Sequence, residues 1–312
     1  MATIDPALEP AAAGATPDQP VSETQRLVSL DFIRGIAVLG ILFANITAFG
    51  QPFIAYFWPT ALAEPATAGD RFVWLFQTIF IDHKFRGLFS LLFGAGVYLF
   101  MERAWARGKG RWLQFRRLAW LLVFGLIHYF LIWRGDILAT YAVCGMVALT
   151  MVKWPARRQL KVGIVAYVLG FLLMTLLMGG NYAAAHLSAV QSRMTAEQAE
   201  EVTKAPDRSL LHAREEVELY RGSGYPEIVA TNARKHGGEL VTEMILVPLT
   251  ETLALMLIGM ALYRMGFFSG AFDPAKMRRW GWIGIGAGIV ATTPIALWPY
   301  LTGFDFFTTL LV

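Results

Sequence analysis

One cysteine in 312 residues excludes a disulfide framework, and Cys144 sits inside an apolar run, where it reads as a small packing residue. Charge is scarce as well. Only 16% of the chain is Asp, Glu, Lys or Arg, against 56% hydrophobic residues and a mean hydropathy of +0.48, a balance that no soluble domain needs for its core. No GxSxG nucleophile elbow is present, and His186, His212 and His236 lack metal-ligand spacing, so no metal site is predicted. The Gly94 and Gly96 pair follows no strand and reads as close helix packing rather than a phosphate cradle. Residues 1–26, rich in Ala, Pro, Thr and Asp, have no basic start followed by an apolar stretch; they read as a flexible cytoplasmic tail rather than a signal peptide.

What is abundant is long apolar stretches. The organising one runs from Leu118 to Val152, two apolar arms broken by Arg134-Gly135-Asp136, and it predicts a helical hairpin in a membrane. The first arm is short for a span, but Arg116 and Arg117 at its entry can snorkel and extend it. Further spans are expected at Leu30–Phe49, 85–102, Val162–Met178, Leu240–Tyr263 and Trp280–Leu301, with an interfacial helix at 71–82 and an aromatic interfacial loop before it. The expected fold is therefore all-α, a polytopic transmembrane bundle of about seven spans with added interfacial helices. Residues 27–180 form the N-terminal membrane helices, 181–239 a polar extramembrane segment with one or two amphipathic helices, and 240–312 the C-terminal membrane helices. The chain stops on the apolar run FDFFTTLLV, which predicts that the membrane domain continues in a longer protein.

Loop charges give an expected orientation. Lys and Arg number six in 103–117, four in 153–161 and four in 264–279, but one each in 50–71 and 134–136, placing the N-terminus in the cytoplasm. The net charge of +4 is accounted for by these span ends, so a nucleic-acid partner is not implied. Two polar clusters then fall on opposite sides of the membrane. Asp31 and Arg34 lie near the cytoplasm, while His83, Lys84, Arg86, His128, Arg134 and Asp136 lie toward the outer face. Ionisable groups at membrane depth cost about 2.5–3.5 kcal/mol or more unless paired or wetted, which makes them functional candidates by default. Plainer readings stand beside this one: Asp31 and Arg34 as a structural salt bridge, Asp136 as a helix cap paired with Arg134, and His128 as a hydrogen-bonded packing residue.

Four ordered blocks, RLVSLDFIRGIAVLGILFAN, KFRGLFSLLFGAG, GLIHYFLIWRGDILATYAVCG and ETLALMLIGMALYRMGFF, resemble the YeiB-like bacterial membrane proteins. That family is similar, more distantly, to transmembrane acyltransferases such as heparan-alpha-glucosaminide N-acetyltransferase, which passes an acetyl group from cytoplasmic acetyl-CoA to an amino sugar on the far side. The resemblance implies a multi-pass protein of the bacterial inner membrane, surrounded by lipid and open to self-association. It also implies an acyl-CoA donor, with acetyl-CoA the first expectation, and a small-molecule or glycan acceptor. In that scheme His128 is the first base candidate with Asp136 as its orienter, and His83 is the alternative. Asp31 and Arg34 would serve the donor, whose phosphates Arg34 would bind, and Lys84, Arg86 and Arg134 an anionic acceptor. Two other classes stay open: a secondary transporter of a small anionic solute, and a non-catalytic structural or receptor protein.

Overall fold

A computed structural model describes residues 28–238, 250–268 and 272–312. Within them every regular element is helical. Five helices are long and apolar enough to cross a membrane: Leu30–Gly50, Ala68–Ala106 taken through a break, Trp112–Ile132, Ala156–His186 and Pro274–Leu301. Shorter apolar helices, Leu138–Thr150 and Thr252–Arg264, pack among them. The expected helical membrane bundle is therefore present, and the chain is a multi-pass membrane protein. Residues 240–249 of the expected span Leu240–Tyr263 and the tail 1–26 lie outside the described residues.

Helix α1 (Val28–Gly50) shows why the bundle belongs in lipid. Its buried residues Leu30, Ala37, Ala44 and Ala48 form one narrow stripe, while Phe32, Leu39 and Ile46 on the other faces are more than half exposed. A water-facing surface of that kind would be strongly disfavoured, at roughly 25 cal/mol per Å² of apolar area. Helix α2 (Ala68–Phe80) starts with a Thr67/Asp70 capping box and ends before His83, whose left-handed backbone (φ 62°) turns the chain into α3 (Lys84–Ala106). Thirteen residues span only about 20 Å, too little for a crossing, which agrees with the interfacial helix expected at 71–82.

Helix α4 (Trp112–Ile127) begins six residues before the apolar run does and continues as a single π-helical turn, His128–Ile132, closed by Trp133 N–H donating to the His128 carbonyl at 2.8 Å. That start relieves the short first arm inferred from Leu118. After the tip, α5 (Leu138–Thr150) returns beside α4, with Gly125 so close to Ala139 that a Cβ would stand 2.3 Å from its nitrogen. Helix α6 (Ala156–His186) carries exposed Val165, Leu169, Leu172 and Leu176. The polar segment forms α7 (Ser188–Gln191), α8 (Ala196–Gly222) and α9 (Tyr225–His236).

Helix α10 (Thr252–Arg264) is the centre of the bundle, lying against α3, α5 and α6. Its approach to α3 is a mutual glycine contact: a Cβ at Gly94 would be 2.0 Å from the Met256 carbonyl oxygen, and one at Gly259 would be 1.9 Å from that of Leu91. Gly94 is thus a packing glycine, as its sequence context indicated. Helix α11 (Pro274–Leu301) and the short α12 (Phe306–Leu311) complete the chain, α12 lying against α6. Trp58 donates to the Phe304 carbonyl at 2.7 Å and stacks edge-on against Phe306, anchoring a small core with Ala55, Ala61 and Ala213.

The bundle has two ends. At one, the basic end, lie Arg34, the 103–117 loop, Lys153 and Arg264; at the other lie the α2–α3 turn, the α4–α5 tip, α8 and α9. Asp31 lies within the first turn of α1, not before it, and pairs with Arg34 at 2.9 Å, the salt bridge its spacing allowed.

Candidate functional site

The tip between α4 and α5 is shaped by the π turn. Trp133 leaves the helix in extended conformation, meets Phe49 at 4.7 Å between ring centroids, and lies over Gly135, where any Cβ would strike the indole at 2.3 Å. The fold-back carries Asp136 to His128, with Oδ1 and Nδ1 3.1 Å apart. Both atoms are sealed from solvent, and the contact lies off the axis of a hydrogen bond, so its attraction is mainly charge and dipole. The other Asp136 oxygen accepts from the Ala139 N–H at 2.7 Å, so this carboxylate also caps the start of α5. Burial raises the Asp136 carboxyl above its ordinary pKa, opposed by the Ala139 and Leu138 amides and by His128.

Below the tip is a cavity of about 210 Å³ lined by α1, α3, α5, α10 and the tip. His83, Arg86, Asp136, Tyr141 and Glu251 are among its polar lining, with Asn45 and Tyr56. Arg86 pairs with Glu251 at 2.5 Å and stands 3.2 Å from Nδ1 of His83. Tyr141, 2% exposed, shares a 2.6 Å hydrogen bond with Ser90 and donates to the Arg86 carbonyl at 3.1 Å. Burial holds the Tyr56 phenol well above its usual pKa.

The sequence-predicted residues divide. His83, Arg86, Arg134 and Asp136 line this cavity together. His128 touches Asp136 from behind the wall, and its imidazole is not part of the lining. Lys84 folds back onto the end of α2, its ammonium 2.5 Å from the Thr78 carbonyl, and lines neither this cavity nor the larger one beside it. Asp31 and Arg34 stay at the basic end. Glu251, Tyr56 and Glu216 were not legible as site residues, since each comes from an element distant in sequence, and Tyr141, five residues after Asp136, reads in sequence as part of an apolar arm. Glu251 opening an otherwise apolar block was the one available signal.

Arg134 is held by three groups. Its guanidinium lies 3.3 Å from Glu216 of α8, 2.8 Å from Nε2 of His236 of α9, and 4.3 Å above the Phe53 ring, while Tyr129 beneath it donates to the His236 carbonyl at 3.1 Å. Tyr225 also donates to the Leu131 carbonyl. Helices α8 and α9 are thereby fastened over the tip and enclose a second, open chamber of about 960 Å³. His212 and His236, read from sequence as residues of a solvated tract, both face that chamber. Among the described residues, no cluster of His, Cys, Asp and Glu is arranged to hold a metal ion.

Comparison with known proteins gives relatives of one kind. The chain is 34% identical over 280 residues to the uncharacterized protein YeiB of Escherichia coli, a match covering 86% of this chain and 64% of that protein. It is 39% identical over 161 residues to the uncharacterized protein YxaH of Bacillus subtilis, covering 48% of this chain and 39% of the relative. The chain therefore spans just under two thirds of the first relative's length and well under half of the second's. No protein-family model matches. No solved structure matches.

Proposed function

We propose, from the premise that the chain is a YeiB-like multi-pass membrane protein, that it is an acyltransferase of the bacterial inner membrane. In this reading the basic end is cytoplasmic and the acceptor binds at the tip end. The observation that carries it is the pairing of His128 with Asp136. A carboxylate facing Nδ1 favours, by charge and dipole, the tautomer that carries its proton there, which leaves the Nε2 lone pair to take a proton. His83 has the opposite arrangement. An arginine N–H facing its Nδ1 makes that nitrogen the acceptor, so neutral His83 carries its proton on Nε2 and acts as a donor. One imidazole is poised as base and the other as hydrogen-bond donor, with Arg86 beside the second. The acceptor hydroxyl or amine would yield its proton to His128 as its O or N attacks the acyl carbonyl. Arg86 and His83 would stabilise the oxyanion, which collapses to the new ester or amide as the thiolate leaves and takes the proton held by His128.

The inner cavity is smaller than the roughly 300–1,000 Å³ of ordinary ligand sites, so it accommodates the reacting end of an acceptor, with the rest in the outer chamber. Acyl-CoA is the proposed donor and fits the basic end only in part. Arg34 is already committed to Asp31, and a donor anchored there would have to reach about 16 Å along α1 to Asn45, the α1 residue of the cavity wall eleven positions on. The test is release of CoA thiol from acetyl-CoA supplied to the basic end in proteoliposomes, with amino-sugar and polyol acceptors inside. Turnover lost in His128→Ala supports the assignment. If acetyl-CoA neither binds nor turns over, the acyltransferase reading falls.

A second reading rests on one observation. Because the His128 imidazole stands outside the cavity lining, the pair also suits a structural brace for a binding pocket without chemistry. In that case His128→Ala would lower thermal stability and leave ligand affinity little changed.

A further inference from the structure

Arg134 stands where the two cavities meet. Phe53, Phe57 and Arg134 line both the inner cavity and the outer chamber, and of these only Arg134 carries a charge. Its bonds are unequal. The Glu216 oxygens lie 3.3 and 3.5 Å away, long beside the roughly 2.7–2.9 Å usual for a charge-assisted bond and beside the 2.5 Å of Arg86 to Glu251. Glu216 also accepts from the Phe53 N–H at 3.2 Å, which divides its carboxylate between two donors. The chamber's other acids are placed differently: Glu215 is neutralised by Lys235 at 3.1 Å, and Glu215 and Glu218 are exposed. A planar guanidinium fork with one long, shared carboxylate partner is the group here that a better anion can recapture.

The geometry points to Arg134 as an anion-operated gate between the chamber and the inner cavity. A carboxylate or phosphate on an incoming ligand replaces Glu216 on the guanidinium, and the fork then exchanges its 2.8 Å contact with His236 and its place over Phe53 for the ligand as it leaves the shared wall. The uncharged remainder of the ligand then passes Phe53 and Phe57 to reach His83, Arg86 and Asp136. This holds whether the inner cavity performs chemistry or only binds, so its failure is separate from failure of the acyltransferase reading.

The experiment places the chain's only thiol behind the gate, as Thr140→Cys on the inner wall in a Cys144→Ala background. The probes are two methanethiosulfonates of similar size, one bearing an ethylsulfonate and one an ethyltrimethylammonium group. In each reaction the Cys thiolate displaces methanesulfinate and forms a disulfide, and the rate is followed by mass spectrometry. With Arg134 intact the anionic probe should react at least about tenfold faster than the cationic one, the scale on which a charged constriction concentrates ions. Glu216→Gln should speed both probes, and Arg134→Gln should speed them and abolish the preference. A thiol in the chamber, Ser209→Cys, should react with both at similar rates in every background. If Arg134→Gln does not yield monodisperse protein, Arg134→Lys replaces it, keeping charge but not the fork, and faster labelling is again expected. Inner-wall rates that are unchanged by these substitutions, or that show no charge preference with Arg134 present, overturn the gate.

Discussion

The two ends of the bundle hold similar polar residues and use them in opposite ways. At the basic end Arg264 donates to the Trp154 carbonyl and to Gln159 Oε1 at 3.1 Å, and lies 4.7 Å above the Tyr98 ring. Gln159, fully buried, donates in turn to the Met151 carbonyl at 3.0 Å, and Tyr263 donates to Glu102 at 2.7 Å. Those polar atoms are consumed by neighbours, and the result is a seal. At the tip end, Arg86, Glu251, His83 and Tyr141 are also bonded to one another, but around a void. What distinguishes a site from a seal here is unfilled volume beside the charges, and charge alone does not reveal it.

The sharpest break of that comparison is sidedness. A cysteine at Lys109 and one at Glu218 should be labelled by an impermeant reagent from opposite faces, the first only in inverted vesicles and the second only in intact cells. Labelling of both from one face would dissolve the distinction between ends. Next in size is activity. His128→Ala and His83→Ala should each reduce acyl transfer by about 10²–10⁴-fold with the melting temperature little changed, and the double variant with Asp136→Asn should cost little beyond His128→Ala. An equal loss from Lys84→Gln, which lines neither cavity, would show that the effect belongs to charge in general.

Stability should respond most at the sealed end. Arg264→Met strands Gln159 and the Trp154 carbonyl, each at about 1–3 kcal/mol, so the melting temperature in detergent should fall by several degrees while labelling at Thr140→Cys is unaffected. The smallest effect is expected from Asp136→Asn, which keeps an oxygen for the Ala139 N–H and should change stability by about 1 kcal/mol or less at neutral pH. Its pH dependence has a definite sign. A carboxyl whose folded pKa is raised stabilises the fold most when protonated, below its unfolded pKa, and loses that contribution as pH rises through the folded value. Wild type should therefore gain on Asp136→Asn toward acid pH; an advantage growing toward alkaline pH would mean that His128 outweighs burial.

Much of the bundle was legible because lipid leaves few options. Apolar length marked the helices long enough to cross a membrane, and the break at Asp82-His83-Lys84 marked the turn between α2 and α3. The pairing of His128 with Asp136 was expected from the hairpin, and the folded-back tip brings the two together. Sequence could not reveal that Lys84 would turn onto α2 or that α8 and α9 would close over Arg134, because both depend on contacts between segments 6 to 102 residues apart. Nor could it reveal the cavity, since an empty space has no residue of its own.

The π turn at His128–Ile132 sets a phase relation for the hairpin. It holds one residue more than an α-turn would, and each residue advances an α-helix by about 100°. Deleting a single residue there would let α4 wind regularly into the tip and rotate everything after it by roughly a quarter turn. Asp136 would then point away from His128, and Arg134 away from Glu216, with no atom of any of the four removed. The hairpin is thus keyed by count as well as by chemistry: a one-residue deletion in this turn should be more damaging than most substitutions within it, and a compensating insertion just before Asp136 should restore much of what was lost.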